Sequence, residues 1–290
     1  MEIIETLLNG LSVGSTYAMI ALGYTMVYGI AKLLNFAHGD IIMVGGYTIY
    51  LTLLMNGHPI LGLVAAVLVC VLLGVTIEKI AYKPLRGASP LAVLITAIGV
   101  SYLLQSTAQM IFGSAPKMVI VADLGNFTIG DLKVPVYTLI TLICSFAIMI
   151  ALNFFVKYTK IGRAMIAVSE DRGAAQLMGI NVNGIITITF AIGSALAAFA
   201  GFFMLMKSPS LSNTLGAMPG IKAFTAAVIG GIGSIPGAMI GGILLGMVEA
   251  ISFKIAAIAP YPDAIEFLIL IIILLVKPSG ILGKVRREKV

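Results

Sequence analysis

The sequence predicts an all-α polytopic membrane protein: one transmembrane domain over 1–290, with about eight or nine spans, some of them discontinuous. Three observations carry that prediction. Of the 290 residues, 60% are hydrophobic and only 10% are charged, with a mean hydropathy of +1.10. Soluble domains are about 25% charged, and a soluble core of this size could not absorb so much apolar surface. Apolar runs near the length of a bilayer crossing recur along the chain. Eleven of the 18 Lys and Arg residues fall in three short segments. The 32 glycines agree, since Gly is more frequent in membrane helices than in soluble ones.

The N-terminal stretch "MEIIETLLNG" has no basic n-region and no A-x-A site, so no cleavable signal peptide is expected. The first apolar run, 10–34, leads into "NFAHGD" (35–40), which sets Asn35, His38 and Asp40 among apolar residues. Ionisable groups inside a membrane are costly and mark functional paths. The competing reading is a polar turn whose side chains bond backbone groups freed by a helix break. Runs 41–56 and 60–81 are separated by a loop in which His58 precedes Pro59. Runs 91–112, 135–156 and 185–206 follow. Run 220–258 is long enough to cross twice, with "GGIGSIPGA" (230–238) as its break. The last run, 264–276, opens near Glu266; this residue, Glu249 and Lys254 read as interfacial. Cys70 and Cys144 lie inside apolar runs and read as packing residues.

Orientation follows from the basic residues, because cytoplasmic loops carry the excess of Lys and Arg. Loop 82–90 has Lys83 and Arg86, and loop 157–184 has Lys157, Lys160, Arg163 and Arg172. The tail 277–290 has Lys277, Lys284, Arg286, Arg287 and Lys289. All three are expected in the cytoplasm. Segment 113–134 balances Lys117 and Lys133 against Asp123 and Asp131 and is expected outside. The net charge of +6 is thus a matter of topology, and no nucleic-acid partner is expected. Three crossings before residue 82 would put the N-terminus outside; a re-entrant segment would reverse that.

Small residues recur at four-residue spacing: Gly10 and Gly14; Gly193, Ala197 and Gly201; Gly233, Gly237 and Gly241; Gly242 and Gly246. Such faces let helix backbones approach closely in lipid, or line a substrate path. Two Gly-interrupted stretches, 29–47 and 220–242, sit in opposite halves of the chain. Paired broken helices suggest an internal repeat, in one arrangement inverted, with a transport site near the membrane midplane. On this reading the translocation path draws on Asn35, His38, Lys222, Gly233 and Pro236.

Catalytic motifs are missing. No G-x-x-x-x-G-K-[ST] phosphate loop or H-E-x-x-H occurs, and the only histidines are His38 and His58. No enzyme activity, cofactor or metal is expected in this chain.

Against that background "KYTKIGRAMIAVSEDRGAAQLMGIN" (157–181) stands out as a charged, helical segment outside the lipid. One reading is a helix lying on headgroups. The other is a docking helix: the pattern A-A-x-x-x-G offers small residues to a partner's groove, and Gly turns the chain at the helix end.

This A-A-x-x-x-G pattern resembles the coupling loop of ABC importer permeases, which seats in a cleft of an ATPase subunit. The usual leading Glu is replaced by Gly173, and the later Leu-Pro is absent. The wider sequence resembles the branched-chain amino-acid permeases of the LivH type. The similar stretches include "STYAMIALGYTMVYGI" (15–30), "LNFAHGD" (34–40), "AYKPLRG" (81–87), "GRAMIAVSEDRGAAQLMGIN" (162–181), "KAFTAAVIGGIGSIPGAMIGGILLG" (222–246) and "KPSGILG" (277–283). The resemblance implies a type II ABC importer-like permease, multi-pass in a bacterial inner membrane. It implies ATPase-coupling residues at Glu170, Asp171, Ala174, Ala175 and Gly179. Implied partners are a homologous LivM-type permease, two cytoplasmic ATPases that carry ATP and Mg, and a periplasmic binding protein delivering Leu, Ile or Val. The alternative class is a stand-alone channel or secondary transporter for a small polar solute. "NFA" is similar to the Asn-Pro-Ala of water channels, without the Pro and without a second copy. A channel needs no docking loop, so 157–181 separates the two readings.

Overall fold

The computed structural model describes residues 2–33, 35–122, 124–129 and 132–283. Leu34, Asp123, Asp131 and the tail residues Lys284, Arg286, Arg287 and Lys289 lie outside the described residues.

Two helices open the chain, α1 (Glu2–Ala31) and α2 (His38–Leu54). Next come α3 (Pro59–Ile77), extended by two irregular turns to Leu85, and α4 (Pro90–Phe112). Short strands β1 (Lys117–Met118), β2 (Asn126–Ile129) and β3 (Leu132–Pro135) lead to α5 (Val136–Tyr158). Then follow α6 (Lys160–Glu170), α7 (Arg172–Leu177), α8 (Val182–Lys207), β4 (Ser210–Leu211), α9 (Ala217–Gly230), α10 (Ile235–Ser252) and α11 (Pro262–Val276). The strands are a small addition to the all-α prediction. β2 and β3 form a hairpin, and β1 pairs antiparallel with β4.

Local chemistry sets several boundaries. Ser89, Thr159, Asp171, Asn181 and Ser234 each accept a hydrogen bond from a backbone N–H two or three residues into the helix that follows. Pro90 and Pro236 fall in the first turn, where the missing N–H costs nothing.

By length and composition, α3 with its extension, α4, α5, α8 and α10 can each cross a membrane. α1 is longer, about 45 Å at 1.5 Å per residue, but less apolar, with Ser12, Ser15, Thr16, Tyr17 and Thr25 along it. Its place explains this: α1 runs through the centre, against α5, α8, α9 and α10. Ala18, Met19, Ile20, Ala21 and Leu22 are all fully buried. Large apolar side chains face outward instead from α3 (Leu68, Leu72), α4 (Leu103, Met110), α5 (Ile143, Ile150) and α11 (Leu275, Val276). A surface of that kind is stable against lipid, where backbone groups are satisfied within each helix.

Apart from Gly233, the small residues at four-residue spacing lie on packing faces. α1 and α10 cross antiparallel: Gly10 lies against Ala250, Gly14 against Gly246 and Ala18 against Gly242. On α8, Gly193 lies against Gly23 of α1, and Gly201 against the Ile42 carbonyl of α2. α9 and α10 form a tight hairpin, with Gly241 on Ala226 and Gly237 on Gly230. α2, α9 and α11, at 17, 14 and 15 residues, are short of a full span. The N-termini of α2 and α9 abut through Gly39, Gly216 and Gly220, so the start of α2 meets residues 216–220 rather than the 230–238 break.

Among the described residues, the loops 82–90 and 157–184 and the start of the tail, 277–283, converge on one end of the bundle. Arg86 bonds Glu78 and Asn183, Arg172 reaches the end of α1, and the 277–283 segment pairs with the end of α9. At the opposite end, Glu5, Val134, Lys207 and Lys254 line one shared pocket.

Candidate functional site

The basic end holds the loop 159–181. The sequence suggested a single long helix there; two short ones form. Asp171 is extended at φ −150°, ψ 114°, and its side chain accepts from the Ala174 N–H at 3.0 Å. It therefore ends α6 and caps α7 at once. Gly179 closes the loop at φ +80°, a conformation that favours glycine.

α6 seats its Gly162, Met165 and Val168 face inward, and a Cβ at Gly162 would overlap the Phe155 and Val156 carbonyls. In α7 the expected docking face divides. Ala174 is exposed and Ala175 is buried, because adjacent helical residues point about 100° apart. Ala175 thus seats the helix on the bundle. Glu170, Asp171, Ala174 and Gly179 remain exposed or partly exposed. Two residues not singled out in the sequence stand beside them: Leu177 at 90% exposure and Met178 at 82%. An apolar pair closing a polar helix was the available signal.

Beneath the loop lies a cavity of about 410 Å³. Gly29 and Thr25 of α1, Lys157 of α5, Met165 and Glu170 of α6, and Gly233 and Pro236 of the break line it. The expected coupling residue Glu170 and the expected path residues Gly233 and Pro236 therefore share one chamber. The break is built from Gly231 at φ +104° and Gly233 at φ +92°. It is braced from the C-terminal side: Ile281 N–H donates to the Ile229 carbonyl at 2.8 Å, and Leu282 N–H to Gly230 at 2.9 Å.

Asn35, His38 and Lys222 do not line this chamber. Asn35 is buried and accepts from the Tyr82 hydroxyl at 2.8 Å, tying the α1–α2 turn to the loop after α3. The same loop holds buried Glu78, which pairs with Arg86 and accepts from Thr187 at 2.8 Å. His38 is buried with its ring edge-on to Tyr24, at 4.8 Å between centroids, in space left by Gly23. Asp40 is buried and accepts from Gln105 of α4 at 2.8 Å.

Lys222 sits toward the other end, in an ionic cluster the sequence did not reveal. Its Nζ lies 2.7 Å from Asp263, 3.0 Å from Glu249 and 3.4 Å from Glu266. The Tyr17 hydroxyl donates to Glu249 at 2.7 Å. Glu266 is fully buried and Glu249 largely so. A buried charge needs its partner nearby, and the fold supplies one from α9.

Residues 6–276 match the family described as branched-chain amino acid transport system / permease component. The high-affinity branched-chain amino acid transport system permease protein BraD of Pseudomonas aeruginosa is 42% identical, across 99% of this chain and 98% of that one. LivH of Escherichia coli K12, with the same description, is 41% identical across 99% and 97%. The ribose import permease RbsC of Haemophilus influenzae is 26% identical across 85% and 76%. Among solved structures, PsaBC from Streptococcus pneumoniae in complex with Fab aligns with a TM-score of 0.50 at 15% identity, over 93% of this chain and 91% of that one. That likeness concerns the fold. With a glycine-packed bundle, basic loops gathered at one end and a family match over nearly its whole length, the chain belongs to the permease components of branched-chain amino acid transport systems.

Proposed function

We propose that this chain is the membrane-spanning permease of an ATP-driven importer, moving Leu, Ile or Val inward across the bacterial inner membrane. It works beside a LivM-type permease and two ATPase subunits, and a periplasmic binding protein delivers the solute. ATP and Mg sit on the ATPases, and this chain carries no ATPase motif. The basic end, with loop 157–184 and tail 277–290, lies in the cytoplasm by the excess of Lys and Arg.

The observation that carries this reading is the placement of loop 159–181. Leu177 and Met178 project from α7 with little cover of their own. On a cytoplasmic loop such a pair favours a protein groove. Behind them, α6 forms one wall of the chamber that the 231–234 break also lines. Movement of the loop would therefore reshape the chamber directly. The apolar side chains Met165 and Ile232 and the polar Thr25 and Lys157 border it, a mixture that suits a small zwitterion with an aliphatic side chain. Selectivity then resides mainly in the binding protein.

The test is a gentle detergent pull-down of the tagged chain from its native membrane, with partners identified by mass spectrometry, and leucine uptake in cells lacking the gene. Recovery of two ATPases and a second permease, with loss of uptake in the deletion, is the expected result. Recovery alone, or only as a homo-oligomer, would overturn the importer reading.

A further inference from the structure

The last turn of α1 carries backbone carbonyls with no partner inside the helix. Here Lys32 turns away at φ +53°, and the chain leaves for the α1–α2 turn. The carbonyls of Ile30 and Ala31 are met by one side chain from far along the sequence. Arg172 Nη2 donates to Ile30 O at 3.3 Å and to Ala31 O. A cation at a helix C-terminus also meets the negative end of the helix dipole. This contact runs against two costs: burial and the like charge of Arg86 both lower the Arg172 pKa.

Arg172 is the first residue of α7, next to Asp171 that caps it, in the loop proposed to meet the ATPase. α1 is the central helix, glycine-packed on α10. The turn that follows α1 is fixed at Asn35 by Tyr82 and leads to the Gly39–Gly216 junction between α2 and α9. One guanidinium therefore joins the coupling loop to the helix about which the bundle is built. The cavity wall formed by α6 is a separate connection.

We infer that Arg172 is a positioning residue for energy coupling: it caps α1 from the coupling loop and carries displacement of that loop into the central helix. This rests on the docking role proposed above for 159–181.

The assembled transporter, reconstituted in liposomes with its binding protein and radiolabelled leucine, tests it through the ratio of leucine imported to ATP hydrolysed. Arg172→Met keeps the stem and removes the donors, while Arg172→Lys keeps a donor. With Arg172→Met the ATPases remain bound and hydrolyse ATP, while import per ATP falls about ten-fold; Arg172→Lys recovers much of it. A merely structural role would lower the amount of assembled transporter and leave the ratio unchanged, and an unchanged ratio overturns the inference. Leu177→Asp separates the two claims. If it strips the ATPases while Arg172→Met keeps a normal ratio, docking stands and the capping role falls. If it leaves ATPases and import intact, the docking reading fails and the inference falls with it. A second measurement needs no variant: hydrogen exchange of residues 28–31 in the wild-type assembly, nucleotide-free and ATP-trapped. A nucleotide-dependent change in protection is expected; identical protection overturns the link.

Discussion

Gly14 of α1 and Gly246 of α10 are packed backbone to backbone. A Cβ on Gly246 would overlap the Gly14 amide nitrogen, and one on Gly14 would stand 2.7 Å from the Ile243 Cα. Between membrane helices there is little hydrophobic drive, so close backbone contact supplies much of the association. Gly246→Val is expected to force the two helices apart, at a cost of about 3 kcal/mol or more. Thermal unfolding of the purified chain in detergent checks this. Gly99 is exposed, and a Cβ there would meet nothing within 4 Å. It serves as the control: Gly99→Ala should leave the midpoint near wild type.

Lys222 holds three carboxylates, and its removal leaves Glu249 and Glu266 buried without their cation. Lys222→Met is expected to destabilise by about 3–5 kcal/mol, the usual consequence of breaking a buried pair from one side. Asp263 is nearly half exposed, so Asp263→Asn should cost much less. Chemical denaturation of the three proteins side by side gives the ordering; equal midpoints for Lys222→Met and wild type would refute it.

The Tyr82 hydroxyl is the donor to Asn35, and both residues are buried. Tyr82→Phe leaves the amide oxygen without that donor, at about 1–3 kcal/mol. The fold should survive, because the ring keeps its packing on Phe190 at 5.4 Å between centroids. A lowered melting temperature with normal membrane insertion is the expected pair of results.

Gly179 has open space around it, so its restriction is conformational and not steric. Gly179→Ala should be tolerated at about 1–2 kcal/mol for holding φ near +80°. Gly179→Trp places a large ring beside Leu177 and Met178 on the proposed docking face. Insertion should persist while leucine uptake is lost. Full uptake in Gly179→Trp would rule out a role for this face.

Composition and apolar runs determined the class of this protein, the approximate extent of its helices, the gathering of basic residues in three segments and the break near 230–238. These properties are written locally: burial in lipid needs about twenty apolar residues in a row, and a break needs Gly or Pro where it occurs. The motif stretches likewise carry the family resemblance. What only the tertiary structure decided are contacts between distant residues. Lys222 meets Glu266 44 positions away, Tyr82 meets Asn35 47 away, and Arg172 caps a helix 141 positions earlier. The direction of Ala175 belongs to the same set, since an Asp171 cap fixed the phase of α7 where an uninterrupted helix had been expected. The small-residue stripes could have packed against any similar face. Their partners were selected by which backbones the whole bundle brings together, and that choice follows from packing every helix at once.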